Sequence, residues 1–350
     1  MRPETLIILT PGFPENEADS SCLPTPALLV KQLQENSPAL KIIVIAFQYP
    51  FTARTYEWNG CRVIAMGGKG RAKLFRLLLW QKVWATLNQL NKKYTIIGLL
   101  SYWCGEAALI GNRYGKKHNV PHYSWLLGQD AKKENHYVRR IKPGSSELIA
   151  ISDFVQSEFQ KNHAILPKHV IPIGIDLREF PAENMIRDID LLAAGSLIPL
   201  KRYELFLDVV SRIKTSLPFV KGQLCGKGPE ADKLKRLIME RQLQMNIKLE
   251  GELPHSEILL YMKRARVFLH TSVYEGFSAV CLEALYAGTP VISFCKPMNE
   301  DIPNWHIVNS VEEMAAKALE VLDDRDLENN TGLPFPMKDS AKKILQLFGH

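Results

Sequence analysis

Short β-branched or apolar runs alternate with segments of helical period along almost the whole chain, and nothing else in the sequence limits the fold so tightly. Strand-like runs fall at 6–9, 42–47, 62–65, 96–100, 122–127, 148–151 and 170–173, then at 189–194, 221–225, 247–249, 267–270, 291–294 and 307–308. Helical segments lie between most of them. Such βαβ repetition builds largely parallel sheets with helices on both faces. About thirteen strands overfill a single sheet, and 350 residues suit two domains of ordinary size. The expected fold is therefore α/β, with two doubly wound Rossmann-type domains, 1–176 and 177–326, facing each other across a cleft. The boundary follows the Pro-flanked run IPIGID. A loop at 327–336 (LENNTGLPFP) leads to a short helix in KDSAKKILQLF, expected to pack back on the first domain. Ligands of such domains bind at the carboxyl ends of the strands, so the chemistry is sought in strand-to-helix loops.

Composition narrows the classes further. Apolar residues make up 46% and charged residues 23% of the chain, which excludes a collagen-like, disordered or multi-span membrane protein. The uncharged stretch 94–105 is shorter than the roughly 20 residues that span a bilayer, and MRPETLIILT lacks the layout of a secretory signal. Six cysteines without a CxxC pair suggest neither a zinc site nor a disulfide scaffold. The reading is a cytoplasmic protein with reduced thiols.

Charge is unevenly spread. Up to Asp176 there are 22 basic and 13 acidic residues, and after it 22 and 24. From Trp58 to Gly105 there is no acidic residue and there are eight basic ones. In this window KGRAKLFRLLLWQKVWATLNQLNKK has helical period. Lys69, Lys73, Arg76, Trp80 and Trp84 share one stripe, and Phe75, Leu79, Val83, Leu87 and Leu90 another. Two readings follow: a docking face for an anionic membrane surface, or a helix buried by its leucine stripe with a solvated basic face. Nucleic acid is disfavoured, because the aromatics lie on a helix stripe and no binding motif accompanies them.

The strongest motif is HTSVYEGFSAVCLEALYAGTPVISF, residues 270–294. A strand enters a loop with Glu275, Gly276, Phe277 and Ser278. A helix N-capped by Ser278 follows, closed by Gly288 and Pro290. Glu275 and Glu283 stand with seven residues between them, one at the helix entrance and one inside. Two carboxylates at two depths suit the hydroxyls of a long ligand, and the helix N-terminus beside them suits a phosphate. A second loop, in LAAGSLIPLKRYELFLDVV, carries Ser196, Lys201 and Arg202. A third, VKGQLCGKGPEADKL, has Gly226, Gly228 and Ala231 in a G-x-G-x-x-A spacing, with Glu250 further on. On its own that would be a weak dinucleotide fingerprint, and a misplaced one, since the fingerprint normally opens its domain.

Taken together, EGFS followed by LEALYAGTPVI resembles the retaining glycosyltransferases of family 4, which have the GT-B fold (glycosyltransferase group 1). The resemblance spans roughly residues 11–322 and is most specific in the second half. It implies that Glu275 lies at the donor sugar and Glu283 at the nucleotide ribose. Backbone amides near Gly276, Phe277 and Ser278 would hold sugar hydroxyls and diphosphate, and Lys201 would clamp the diphosphate. Gly226 and Gly228 would line the nucleotide pocket, and the loop of Gly12 would face donor phosphates and acceptor. The segment Leu127–Gly128–Gln129–Asp130 sits where many members have H-G-x-D, so Asp130 is carried over as donor-binding while Leu127 departs from the pattern. Ser196 departs too, standing where the family has an arginine, with Arg202 as a substitute cation.

The resemblance implies a retaining, hexosyltransferase-type enzyme moving sugar from a UDP- or GDP-sugar to a glycan or lipid-linked acceptor. Its setting would be polysaccharide, lipopolysaccharide or glycolipid synthesis, in the cytoplasm or peripherally on the inner face of the membrane. No D-x-D is placed on a suitable loop, and neither a metal nor a cofactor beyond the nucleotide sugar is expected. A sugar-nucleotide epimerase and a non-catalytic nucleotide-sugar binder on the same fold stay open as alternatives.

Overall fold

In a computed structural model of the chain, the described residues are 2–19, 22, 24–71, 74–182, 185–324 and 335–350. They form two compact units, Met1–Gly174 with Phe335–His350, and Ile175–Pro334.

The first unit is built on an eight-stranded sheet in the order β3-β4-β2-β1-β5-β6-β7-β8. Its strands are β1 (Glu4–Gly12), β2 (Lys41–Tyr49), β3 (Arg54–Trp58), β4 (Cys61–Ala65), β5 (Thr95–Tyr102), β6 (His122–Leu126), β7 (Leu148–Ala150) and β8 (His169–Val170). All pairings are parallel except β3 with β4. The central strands β1 and β2 are near-continuous aliphatic runs, as strands covered on both faces must be. Helices α1 (Pro24–Asn36), α2 (Leu74–Lys93), α3 (Glu106–His118), α4 (His136–Ile141) and α5 (Asp153–His163) connect the strands.

Strand β3 is the element the periodicity does not predict. It is short, mostly exposed and antiparallel at the sheet edge. It is joined to β4 through Asn59 and Gly60, both at positive φ (44° and 75°), the backbone of a two-residue hairpin.

The second unit has a fully parallel six-stranded sheet, β11-β10-β9-β12-β13-β14. The strands are β9 (Ile189–Ala194), β10 (Gly222–Cys225), β11 (Ile247–Gly251), β12 (Ala265–His270), β13 (Val291–Ser293) and β14 (Trp305–Ile307). Between them run α6 (Tyr203–Ile213), α7 (Ala231–Glu240), α8 (His255–Arg264), α9 (Ala279–Tyr286) and α10 (Val311–Asp323). The chain steps outward from β9 through β10 to β11, then returns to the other side of β9 with β12. The β9/β12 boundary is therefore the point where strand order reverses, the usual ligand position in such sheets.

The last helix, α11 (Met337–Leu347), belongs to the first unit and packs on α1. Asn36 donates to the Lys338 carbonyl at 2.8 Å, and Gly174 lies so close that a Cβ there would sit 2.1 Å from the Met337 nitrogen. Most of the loop expected at 327–336 falls outside the described residues.

Candidate functional site

The second unit gathers the sequence-marked residues at the carboxyl ends of the strands flanking the reversal point. Strand β9 ends at Ala194, just before Gly195, and leads through the turn Pro199–Lys201 into α6, while β12 ends in His270 and leads through Glu275 into α9. Lys201 Nζ meets Glu275 Oε2 at 2.5 Å, with both side chains largely covered. Thr271 fixes the same turn from the other loop, donating from Oγ1 to the Lys201 carbonyl at 2.6 Å.

Burial works against ionising Glu275, but neighbouring His270 and the Lys201 ammonium outweigh it and hold the carboxyl down at about 2. His270 is itself buried, and that burial lowers its own pKa. Its Nε2 lies 3.6 Å from Glu275 Oε2, beyond hydrogen-bond length. The result is a persistent Glu275 carboxylate facing Lys201 at the mouth of a parallel sheet.

Ser278 holds the N-cap position of α9, but its side chain makes no capping hydrogen bond. This corrects the expected cap. The α9 N-terminus therefore turns amides that no cap side chain answers toward the loop, the arrangement that receives anions. Phe277 is buried with its ring edge-on to Trp305 at 6.0 Å, so only its backbone is placed to serve a ligand. Glu283 stands on α9 itself, and its Oε1 is 3.0 Å from His255 Nε2.

Gly226 and Gly228 have a role the motif alone does not reveal. A Cβ on Gly226 would come within 1.9 Å of the Gly195 carbonyl oxygen, and one on Gly228 within 2.4 Å of the Leu197 carbonyl oxygen. The loops after β9 and β10 are thus pressed backbone to backbone, joined by Gly195 N to Cys225 O at 3.0 Å and Leu197 N to Lys227 O at 2.8 Å. These glycines brace the loop that carries Lys201. They follow the second strand of their unit, which removes the dinucleotide-fingerprint reading. Glu250, the acid that reading needs, is paired with Lys248 at 2.8 Å.

Two further expectations change in this unit. Arg202 does not join Lys201 at Glu275. It begins α6 at φ 50° with its guanidinium 3.9 Å from Glu204, beside a separate hollow lined by Val273, Phe294 and Asn309. Ser196, at the end of β9, is exposed.

The first unit revises the expectations more strongly. Asp130 is buried, accepting from the amides of Gly128 (2.9 Å) and Leu127 (3.1 Å) in its own turn and of Cys104 (2.8 Å) in the loop after β5. It shapes the Leu127–Asp130 turn and ties it to the loop after β5. Gly12 closes β1 opposite Tyr49, and a Cβ there would make only ordinary contacts.

The expected basic and aromatic face of α2 is also revised. Lys69 lies in a turn before the helix, at φ 57°, and Lys73 falls outside the described residues. Glu106 draws the rest inward: Trp80 Nε1 donates to its Oε1 at 2.7 Å, and Arg76 pairs with it at 3.5 Å. Trp84 packs edge-on to Tyr114 at 5.1 Å. The buried stripe is Leu79, Val83, Leu87 and Leu90, as expected, but Phe75 is not in it. Leu74, Phe75, Leu77 and Leu78 are each more than half exposed at the start of α2.

His255, His270 and Thr271 are the site residues the motif reading passes over. His270 and Thr271 open the 270–294 motif, and His255 directly follows the GELP segment at 251–254, so position alone could have flagged them.

Two parallel-sheet Rossmann-like units, one with a Lys–Glu pair at its reversal point, place the chain in the GT-B fold class. Residues 179–332 match the model of the family described as "Glycosyl transferases group 1", which the second unit resembles. Curated relatives include the MMP alpha-(1->4)-mannosyltransferase of Mycolicibacterium hassiacum, 28% identical over 44% of this chain and 38% of that protein. Another is the gpi3 subunit of phosphatidylinositol N-acetylglucosaminyltransferase of Schizosaccharomyces pombe, 25% identical over 56% of this chain and 44% of that protein. The chain thus spans about two fifths of the length of these relatives. Among solved structures, Anabaena HepE in complex with UDP and glucose aligns with a TM-score of 0.72 at 17% identity, covering 99% of both chains. Sucrose-phosphate synthase from Thermosynechococcus elongatus aligns with a TM-score of 0.70 at 18% identity, covering 99% of this chain and 98% of that one. At such identities the likeness shows the fold alone.

The Lys201–Glu275 pair is tested by a double-mutant cycle. Lys201→Met should cost about 1–3 kcal/mol by stranding a covered carboxylate, and adding Glu275→Leu should recover part of that loss. Chemical denaturation of the four proteins measures it, and strictly additive losses would contradict the coupling.

Proposed function

We propose that the chain transfers a hexosyl group from a UDP- or GDP-sugar to an acceptor hydroxyl, with retention at the anomeric carbon. The observation that carries this reading is the meeting of Lys201 and Glu275 at 2.5 Å, beside the α9 N-terminus and Glu283. The family match over 179–332 supports it, as do relatives named as a mannosyltransferase and an N-acetylglucosaminyltransferase. The first unit is assigned to the acceptor.

In this reading the donor diphosphate takes a share of the Lys201 ammonium and lies against the amides opening α9. Glu275 accepts from hydroxyls of the sugar, and Glu283 from the ribose diol. The anomeric C–O bond to phosphate breaks and a C–O bond to the acceptor forms on the same face. The departing phosphate oxygen takes the acceptor proton, so no protein base is called on. Charge grows on the leaving diphosphate in the transition state, and Lys201 with the α9 dipole answers it without a metal ion. Hexosyl transfer is preferred to epimerisation because the relatives are named as transferases. An epimerase would change the donor with no acceptor present.

Lys201→Ala should lower turnover by roughly a hundredfold with little change in donor KM, because its contribution grows in the transition state. Glu283→Ala should instead raise donor KM by about tenfold, the size of one hydrogen bond to a charged group. Steady-state kinetics on a folded variant decides; wild-type turnover after Lys201→Ala would remove it from this role.

A membrane-borne acceptor is the second part of the reading, favoured by the exposed Leu74, Phe75, Leu77 and Leu78. Exposed Lys69 and Arg71 stand just before them, and Arg71 lies over the Phe75 ring at 5.2 Å. Apolar side chains beside cations suit the interface of an anionic bilayer. No helix among the described residues is long and apolar enough to cross one. Sedimentation with vesicles containing anionic phospholipid should lose most of the bound protein when these four are changed together to Ser. Equal binding would refute the patch.

A further inference from the structure

His255 opens α8 immediately after Pro254, with two carboxylates on its ring. Nδ1 lies 2.8 Å from Glu179 Oε2, and Nε2 lies 3.0 Å from Glu283 Oε1. A neutral imidazole has one N–H and one lone pair, while ionised carboxylates only accept. Hydrogen-bond distances from both nitrogens to carboxylates therefore call for both nitrogens protonated.

The two acids come from different elements. Glu179 ends the turn Leu177–Glu179 and Glu283 sits midway along α9. The nearby guanidinium of Arg178 is engaged by Asp176 at 2.8 Å. Glu283 is the more covered of the two acids, with 13% of its side chain exposed against 51% for Glu179.

We propose that His255, clasped as an imidazolium between Glu179 and Glu283, is a positioning residue that fixes the Glu283 carboxylate for the donor ribose. The proposal rests on the nucleotide-sugar reading of this unit and adds a residue to it.

A glutamate side chain has three rotors, and gripping both hydroxyls of a diol requires the carboxylate plane to be set beforehand. His255 holds Oε1 and leaves Oε2 to the diol, while Glu179 anchors the far side of the ring. The hydrogen bond with Glu283 is the main reason the imidazole pKa rises to about 9; burial opposes it, and the charges of Glu283 and Glu179 add to it. Since the value is raised from the ordinary 6.5, the clasp is essentially complete at pH 7. It is lost as pH rises through about 9. Above that, a ring lone pair faces a carboxylate and the orientation is released.

The experiment is calorimetric titration of UDP and of GDP into wild type, His255→Gln and His255→Arg at pH 7 and pH 10. The base's own ionisation is common to all three and cancels in their ratios. At pH 7 the wild type should bind roughly tenfold more tightly than the Gln variant, the size of one charge-assisted hydrogen bond. At pH 10 that advantage should shrink toward unity. The permanently charged Arg variant should match wild type at pH 7 and exceed it at pH 10, which a merely structural role would not produce. A wild-type to Gln ratio that is unity at pH 7, or equal at both pH values, overturns the positioning role alone. If neither nucleotide binds the wild type, the nucleotide-sugar reading falls and takes this role with it.

Discussion

The ion pair between Lys201 and Glu275 fastens together the two loops that leave β9 and β12. Those loops diverge at the point where strand order reverses, so without a tie their ends would open on solvent. Thr271 adds a second link to the Lys201 carbonyl. On the far side the Gly226–Gly228 loop presses on the backbone of Gly195 and Leu197. Three loops from three strands are thereby held as one surface, and α9 presents its N-terminus to it.

This construction explains the charge state of the site. A carboxylate as covered as Glu275 would ordinarily resist ionisation, and an ammonium as covered as Lys201 would be costly alone. Each makes the other tolerable, at the cost of leaving neither wholly committed to a ligand. Under the proposed function, an entering diphosphate would exchange one anionic partner of Lys201 for another that carries more charge.

Much of this was legible in the residues. The alternation of β-branched runs and helical segments located all but one strand, because parallel strands covered on both faces are written as uninterrupted aliphatic stretches. Strand β3 escaped because RTYEW is polar, short and exposed at a sheet edge. Its signal was present in Asn59–Gly60, a hairpin dipeptide. The Glu275–Glu283 spacing and the Lys201 loop announced themselves as a motif. His255 did not, since its importance lies in two carboxylates 76 and 28 positions away.

What the sequence leaves out has one cause. Stripes on a helix say which residues share a face, not what waits opposite. Arg76 and Trp80 share a stripe that suits either lipid or solvent, and the sequence does not show that Glu106, 30 and 26 positions on, meets both. Asp130 reads as a ligand in the sequence, which does not show that amides of its own turn and of Cys104 hold it. Arg202 looked like a spare cation until its left-handed backbone turned it toward Glu204. What remains central is the Lys201–Glu275 pair at the carboxyl ends of β9 and β12, the proposed place of a nucleotide diphosphate. The most direct measurement is a crystal structure with UDP or GDP bound. The account predicts the diphosphate within hydrogen-bond distance of Lys201 Nζ and the first amides of α9, with the ribose on Glu283. A nucleotide seated anywhere else, with Lys201 and Glu275 still paired only to each other, would contradict it.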